Sequence, residues 1–456
     1  RQWFLWQLEP TSTAYHVPAA LRLRGELDLP ALQRSFDALI ARHESLRTCF
    51  VEEQGQTLQV IQAQATLELA VEDIAGELDD CALQALVAAE TLHLFDLHKG
   101  PLLRVKLLRM AADDHALIIT LHHIVSDGWS MGIMVDELVA LYAAYSANKT
   151  AQLPALPVQY ADYAVWQRQW MEAGERERQL NYWTAQLGDG EQPLLELPTD
   201  RPRPSEQSYR GARQDIALSA ELAAGLKHVA QRENVTLFAL LLASFQTLLH
   251  RYSGQADIRV GVPVANRNRV ETEGLIGFFV NTQVLKAEFD SQQTFRSLLQ
   301  QVKRTVLDAQ AHQDLPFEQL VDALQPERSL SHSPLFQVLH NHQSQARQGS
   351  GATRLPQITI EGLNWTSHTA QFDLTLDTFE SADNVWAELT YATDLFDATT
   401  LQRLAQHWTN LLHSIVADCT LRIAELPLHD NVERQATLLQ WNPAVADFPN
   451  EQCLHH

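Results

Sequence analysis

The stretch "LHHIVSDGWSMG" (residues 121–132) joins a strand pattern to a helix pattern, and it decides how the first half of the chain folds. The letters that lead into it, "HALIITLHH", are rich in β-branched and apolar residues, which predicts a strand. After the turn "VSDG", apolar side chains recur at helical spacing at Met131, Met134, Leu138, Leu141 and Tyr145. The sequence therefore predicts a strand, a polar turn and a helix.

The same mixture of strand and helix patterns extends along the rest of the chain. "AALRLRGELD" predicts a strand, and Asp28 then caps a helix that ends near His43. Further on, a helix is predicted over roughly 235–252, a strand in "DIRVGVPVANR", and a β-hairpin in "FDLTLDTFESADNVWAELTY". From about residue 428 the periodicity fades, which predicts a linker. We expect a mixed α/β (α+β) fold with two packed units, because the chain exceeds the ~250–300 residues at which one core stops growing.

Two adjacent histidines at the end of the predicted strand are candidate catalytic residues. Neighbouring side chains of a strand point to opposite faces, so His123 shares a face with Leu121 whereas His122 faces the other way. Because the two rings diverge and no third ligand stands at suitable spacing, we expect no metal site here. Asp127 can orient a histidine, cap the helix or hold an arginine, and Gly128 lets a substrate approach the backbone closely. A hydrogen-bonded core histidine is the alternative.

A second motif overlaps the first. Gly128, Ser130 and Gly132 spell G-x-S-x-G, the nucleophile elbow of serine hydrolases, in which the serine lies on a sharp turn at the end of a strand. Here the letters "IVSD" separate the strand from Gly128, and no later Asp and His stand out as partners of a catalytic triad. The alternative is that Ser130 caps the following helix, and the sequence favours that role.

Charge and cysteine usage exclude several classes of protein. A formal net charge of -22 argues against binding to a nucleic-acid backbone or to an anionic membrane surface. The longest apolar run, "LFALLLASF" from Leu237, is too short to span a bilayer. The 4 cysteines lie far apart without a C-x-x-C pair, which suits a reducing cytosol and supplies no zinc site. The start of the chain has no signal-peptide pattern, so we expect a cytoplasmic protein with no nucleic-acid and no membrane partner.

The motif H-H-x-x-x-D-G at residues 122–128 resembles the active-site motif of the condensation domains of nonribosomal peptide synthetases. Other motifs of that family follow the same order along the chain. "RHESLRTCF" (42–50) is similar to an early family motif, and "YADYAVW" (160–166), "IGFFVNT" (276–282) and "HQDLPFE" (312–318) match later ones closely. "RQWFLWQL" resembles the first motif with its beginning missing, and "ERSLSHSPLF" (327–336) is the loosest match. The resemblance covers about residues 1–428.

The resemblance implies a fold of two chloramphenicol-acetyltransferase-like lobes, which form a V-shaped pseudo-dimer with a central tunnel. We expect an N-terminal lobe over residues 1–175 that carries the H-H-x-x-x-D-G motif and a C-terminal lobe over residues 176–428. Residues 429–456 resemble the linker toward an adenylation domain.

The resemblance also implies a reaction, which is amide-bond formation by attack of an acceptor amine on a donor acyl or peptidyl thioester. Donor and acceptor carrier domains would deliver both substrates on phosphopantetheine arms, so we expect no permanently bound cofactor and an adjoining adenylation domain as a further partner. An α-amino group titrates near ~8, so a share of it is already nucleophilic at neutral pH, and no nucleophilic serine is required. His123 would accept the amine proton or would position the amine and the tetrahedral intermediate, and both roles remain open.

The other residues of the motif receive supporting roles. The Gly128 N–H is a candidate donor to the developing oxyanion. By resemblance, Asp127 turns away from the substrate and pairs with Arg267 of "VPVANRNR", while His122 braces the loop. Arg42 and His43 are expected to complement the end of a helix.

Three alternatives share parts of this pattern. An epimerisation domain has the same motif, but "IGFFVNT" and the apparent linker after residue 428 favour condensation. A non-catalytic carrier-recruiting module has the same fold, but such modules have usually lost the histidines that are intact here. A serine thioesterase would use Ser130 as its nucleophile. Condensation is favoured over all three, and no substrate-binding residue is predicted.

Overall fold

The computed structural model describes residues 2–74, 79–188, 190–327, 329–344, 353–355, 357–363, 368–382 and 384–441. In these ranges the α-helices are α1 (Gln2–Leu8), α2 (Leu29–Arg42), α3 (Asp80–Thr91), α4 (Gly128–Ser146), α5 (Tyr160–Trp170), α6 (Arg176–Leu187), α7 (Ala220–Arg232), α8 (Leu237–Ser253), α9 (Phe295–Gln310), α10 (Phe317–Leu324), α11 (Ala398–Ala417) and α12 (Asn431–Trp441). A π-helical turn, Met171–Glu175, joins α5 to α6.

The strands of the same ranges are β1 (His16–Gly25), β2 (Thr48–Glu53), β3 (Gln56–Ile61), β4 (Ala70–Asp73), β5 (Leu103–Ala111), β6 (Asp114–His122), β7 (Gly211–Ala217), β8 (Asp257–Val264), β9 (Asn281–Glu288), β10 (Val338–Ser344), β11 (Thr353–Arg354), β12 (Ile358–Gly362), β13 (Leu374–Glu380) and β14 (Val385–Ala392). The predicted mixture of helices and strands is confirmed. Within the described part of the chain, no helix is long and apolar enough to cross a membrane.

The first sheet places the histidine motif at the end of a central strand. Its order is β11-β12-β1-β6-β5-β4, and β6 pairs antiparallel with β1 along its whole length and with β5 from Asp114 to Leu121. Leu117, Ile119 and Leu121 on one face of β6 belong to a core that also contains buried residues of α2 and α4. This core fixes β6 and the start of α4 relative to each other.

The second sheet and its helices form the larger hydrophobic core. The strand order is β7-β14-β13-β10-β8-β9, and the core contains buried residues of α7, α8, α9 and α11, including Phe245 and Trp408. The predicted hairpin is confirmed, because β13 and β14 pair antiparallel across the turn between Glu380 and Val385. Antiparallel and parallel pairs occur together, since β10 runs parallel to both β8 and β13.

Strand β12 and helix α12 are not among the elements that the sequence pattern predicted. Strand β12 lies in the second half of the chain, yet it pairs with β1 in the first sheet, for example Leu23 opposite Ile360. Residues 431–441 of the expected linker form the helix α12. Residues 442–456 of that linker lie outside the described residues.

Candidate active site

The H-H-x-x-x-D-G motif spans the last residue of β6, the following loop and the first residue of α4. Strand β6 ends at His122, a single 3-10 turn covers His123–Val125, and α4 begins at Gly128. The expectation that strand alternation separates the two histidines is therefore wrong at His123, which lies after the strand. The two rings still have different surroundings, for reasons given by their contacts.

His123 is held by its own loop in one tautomer. Its Nδ1 lies 2.7 Å from the backbone oxygen of Ser126. A carbonyl oxygen can only accept, so Nδ1–H donates, and the Nε2 atom of the neutral ring keeps its lone pair. The ring of Phe278 meets the ring of His123 edge to face at 5.2 Å, and His123 is partly exposed. The contacts thus leave Nε2 as a proton acceptor on an oriented ring.

His122 lies in an apolar pocket of the first half. It is 3% exposed, its Nδ1 accepts a hydrogen bond from the Ile124 N–H at 3.1 Å, and the rings of His16 and Phe95 pack against it. Burial lowers the pKa of His122 to about 3, with smaller effects from His16 and His123. His122 is therefore neutral at physiological pH and supports the turn at Ile124.

Asp127, Ser130 and Arg267 form a buried hydrogen-bonded group that we call the bracket. The Oδ1 of Asp127 accepts from the backbone N–H of Ser130 at 2.8 Å and from Nη2 of Arg267 at 3.3 Å, and its Oδ2 accepts from the Phe279 N–H at 3.0 Å. Asp127 is 0% exposed. The structure thus brings Asp127 and Arg267 together, and it points the Asp127 carboxylate into the protein.

Arg267 also holds a loop of the second half. Its Nη1 donates to the backbone oxygens of Thr272 at 2.6 Å and Leu275 at 2.7 Å, and its guanidinium lies 4.0 Å from the centre of the Phe279 ring. Burial lowers the pKa of Arg267, whereas the nearby Asp127 raises it. The charge pair therefore connects the start of α4 to residues 267–279.

The hydroxyl of Ser130 is occupied by the bracket. It accepts from Nη2 of Arg267 at 2.7 Å and from the Gly277 N–H at 3.1 Å, and the Asp127 Oδ1 and the Gly277 oxygen lie within 2.9 Å as acceptors of its one proton. Ser130 is also 0% exposed. The prediction that Ser130 caps α4 is wrong, because Asp127 is the cap and Ser130 lies in the first turn.

Gly128 offers an open piece of backbone five residues after His123. It is the first residue of α4, where backbone N–H groups have no partner inside the helix, and it is exposed. A Cβ atom at this position would meet nothing within 4 Å. The space beside the backbone is therefore available to a substrate.

The backbone of residues 276–279 forms the opposite side of the site. Tyr160 donates from its hydroxyl to the Phe278 oxygen at 2.7 Å, and burial raises the pKa of Tyr160. A Cβ atom on Gly277 would lie 2.2 Å from Cδ2 of Tyr160, so only glycine fits this packing. Tyr160, Gly277 and Phe278 were not singled out by sequence reasoning, although each belongs to one of the quoted motifs.

The two later motifs contact each other. Asn281 of "IGFFVNT" donates from Nδ2 to the backbone oxygens of Gln313 at 2.8 Å and Leu315 at 2.7 Å, and its Oδ1 accepts from the Phe317 N–H at 3.0 Å. The motif "HQDLPFE" therefore supports the C-terminal end of residues 276–279, which we call the 276–279 strip and whose Phe278 ring contacts the His123 ring.

Arg42 and His43 do more than end a helix. Both contact Glu137 of α4, with Nε of Arg42 at 3.0 Å and Nε2 of His43 at 2.8 Å, and Nδ1 of His43 faces the Ile276 N–H at 3.4 Å. The expected helix-end role is thus incomplete, because these side chains connect α2 to α4 and to the 276–279 strip.

Comparison with known proteins identifies the family. A sequence model of the condensation domain matches residues 1–438. The chain belongs to the condensation-domain family. Condensation domains of nonribosomal peptide synthetases catalyse peptide-bond formation, an acyltransferase-type reaction, alongside adenylation domains and carrier domains that bear phosphopantetheine.

This condensation domain is similar to segments of much longer synthetases. It is 48% identical over 461 residues to one of the linear gramicidin synthase proteins of Brevibacillus parabrevis, and it is 40% identical over 459 residues to the phosphinothricin tripeptide synthetase PhsC of Streptomyces viridochromogenes. The match covers 100% of this chain in both cases, but the chain spans only 6% and 42% of the length of these relatives.

Solved structures show the same chloramphenicol-acetyltransferase-like fold. The X-domain from teicoplanin biosynthesis matches with a TM-score of 0.86 and 28% identity over 94% of this chain and 96% of its own. A four-domain nonribosomal peptide synthetase bound to AMP and glycine matches with a TM-score of 0.85 and 24% identity over 95% of this chain and 33% of its own. The fold of two helix-covered sheets is therefore that of condensation domains.

Proposed function

We propose that this condensation domain joins a donor acyl or peptidyl thioester to an acceptor aminoacyl thioester, each held on the phosphopantetheine arm of a carrier domain. The observation that supports this most is the His123 ring, which has a fixed tautomer, an available Nε2 and a partly exposed position, with the open backbone of Gly128 five residues further along the same motif. An adenylation domain that follows residue 456 is part of the same proposal, as is a tunnel between lobes of residues 1–175 and 176–428.

The reaction requires a proton acceptor but no covalent enzyme intermediate. The amine nitrogen bonds to the thioester carbonyl carbon, the C–S bond breaks, and the phosphopantetheine thiol leaves with a proton. Nε2 of His123 accepts the proton of the attacking amine, or it holds the amine by a hydrogen bond. General-base action contributes about 10²–10⁴-fold to such rates, and holding the reactants about 3–3.5 Å apart also accelerates them strongly.

Neighbouring groups serve His123 in this proposal. The Gly128 N–H donates to the carbonyl oxygen as negative charge develops on it, which is the task of an oxyanion hole. Asp127, Arg267 and His122 act as positioning residues, because they hold the loop on both sides of His123 and do not face the space beside Gly128.

The decisive experiment removes the His123 ring. Loaded donor and acceptor carrier domains are mixed with the chain, and the acceptor-bound product is followed by mass spectrometry. We expect His123→Ala to reduce the rate by about 10²–10⁴-fold. His93→Ala, the same change at an exposed histidine of the first half, is the matched control and should leave the rate unchanged. Equal rates for His123→Ala and the control would refute the proposal.

The serine thioesterase alternative is not supported by the contacts of Ser130. A nucleophilic serine has to reach the substrate, whereas the Ser130 hydroxyl is buried and accepts from two donors. We expect a fluorophosphonate probe to leave Ser130 unlabelled.

A further inference from the structure

A cluster of side chains that can bind a metal ion lies where α12 meets α11, about three hundred residues after His123 in the sequence. His407, His429 and Glu433 each place one ligand atom within 4.8 Å of the ligand atoms of the other two. His407 lies on α11 and is buried, Glu433 lies in the first turn of α12 and is half-buried, and the exposed His429 precedes that turn. Imidazole and carboxylate groups in this number are the donors of three-ligand zinc sites.

The three ligand groups of the cluster lie within reach of one ion. Nε2 of His407 lies 2.8 Å from Oε2 of Glu433, and the rings of His407 and His429 are 4.7 Å apart with an interplanar angle of 67°. Zinc–ligand bonds of about 2.0–2.2 Å in tetrahedral geometry place ligand atoms about 3.3–3.6 Å apart. Nε2 of His407 and Oε2 of Glu433 are therefore closer together than two zinc ligands, and an ion would separate them and replace their hydrogen bond.

His407 also has the outer partner that zinc ligands commonly have. Its Nδ1 lies 2.6 Å from the hydroxyl oxygen of Tyr252. Without a metal, Nε2–H of the neutral ring donates to the Glu433 carboxylate and Nδ1 accepts from the Tyr252 hydroxyl. A metal at Nε2 would replace that proton, and Nδ1–H would then donate to the Tyr252 oxygen, as the second ring nitrogen of a zinc ligand does.

The backbone that carries the other two ligands is fixed independently of them. Asn410 donates from Nδ2 to the Leu428 oxygen at 2.8 Å, just before His429. The Asp430 carboxylate accepts from the Glu433 N–H at 2.7 Å and caps the start of α12. His429 and Glu433 therefore stand on a turn that is already attached to α11.

We propose that His407 Nε2, one ring nitrogen of His429 and the Glu433 carboxylate bind one Zn²⁺ ion, with water completing the coordination. The ion clamps the start of α12 onto α11 and so fixes the direction in which the chain leaves the second sheet and its helices. The site differs from the position at His122 and His123, where the sequence predicts no metal. It is independent of the proposed reaction, because none of its ligands belongs to the candidate active site.

Zinc titration of the 456-residue chain tests the proposal. Zinc uptake is measured by calorimetry and by competition with a chromogenic zinc chelator. We expect His429→Asn to lose one bound zinc, or to bind it at least about ten-fold more weakly, and Glu433→Gln to behave alike. His413→Asn, the same change at another exposed histidine on α11, is the matched control and should keep the zinc. Identical zinc uptake by the wild type and His429→Asn would overturn the proposal, since the metal would then be held by other histidines.

A second pair of measurements addresses the ligand geometry and the clamp. Tyr252→Phe removes only the hydroxyl that faces Nδ1, and we expect it to weaken zinc binding by about 10–100-fold. Zinc should also slow hydrogen exchange in residues 431–441 of the wild type and not of His429→Asn. The clamp would be refuted if zinc did not change the hydrogen exchange of α12 and Tyr252→Phe bound zinc with the affinity of the wild type.

Discussion

The loop between β6 and α4 is held in two ways, by a neutral pocket at His122 and by the charged bracket at Asp127. At the first end, burial keeps His122 uncharged, and the rings of His16 and Phe95 that pack against it both belong to the first half of the chain. At the second end, Asp127 is paired with Arg267, so a buried charge joins the first half to the second.

The neutral support at His122 and the charged support at Asp127 together orient His123, which lies between them. The neutral end needs no partner charge, but it depends on pH because a proton on His122 would be buried. The charged end depends on its partner, because loss of either side chain leaves the other charge buried and unpaired. His123 lies between two fixed points, and the Ser126 oxygen sets its ring.

The largest effect is expected from opening the charged end. Asp127→Ala leaves Arg267 buried beside the Phe279 ring without a carboxylate, and we expect it to lower the free energy of unfolding by about 3–5 kcal/mol. Chemical denaturation measures this loss. Asp136→Ala, the same change at an exposed position of α4, is the control and should cost far less. If both variants lost the same stability, the bracket would not hold the loop.

A smaller effect is expected from Ser130→Ala, which leaves the charge pair in place. The change removes the acceptor of the Gly277 N–H and one of the acceptors of Arg267, which costs about 1–3 kcal/mol for groups buried without partners. The folded variant should still form most of the amide product, because no contact of Ser130 reaches the open side of the loop. Loss of activity as large as that expected for His123→Ala would instead make Ser130 a catalytic residue.

Much of this loop could be predicted from the sequence, and its failures have local causes. The strand, the helix and the motif residues follow from apolar periodicity and from the resemblance. The alternation argument failed at His123 because β6 ends one residue earlier, where the His123 N–H donates to the Tyr15 oxygen and the chain turns. Ser130 was assigned the cap because it precedes the apolar helix pattern, but the Asp127 carboxylate accepts from the Ser130 N–H and starts the helix three residues sooner.

Contacts between distant segments were the part that periodicity could not reveal. The Tyr160 ring packs directly on Gly277, although the two residues are more than a hundred positions apart in the sequence. Strand β12 pairs with β1, and most of the chain lies between these two strands. Nothing in the local pattern of either segment specifies its partner. In α12, the sequence lacks a strong apolar face, and its start is set by the Asp430 cap and the contact between Glu433 and His407.

The smallest effect is expected at the neutral end and appears only on acidification. An unfolded histidine titrates near ~6.5, whereas the pKa of folded His122 is about 3. Below about pH 6.5 the unfolded chain therefore binds a proton that the folded chain does not, so the free energy of unfolding decreases as the pH is lowered. For this residue the decrease is about 1.4 kcal/mol from about pH 7.5 to pH 5.5. His122→Asn keeps an acceptor for the Ile124 N–H but cannot titrate, and its unfolding free energy should fall less over that interval. His340, whose pKa burial also lowers to about 3, remains in the variant and keeps part of the dependence. A wild type and a variant with the same loss on acidification would show that His122 is not the uncharged support of the loop.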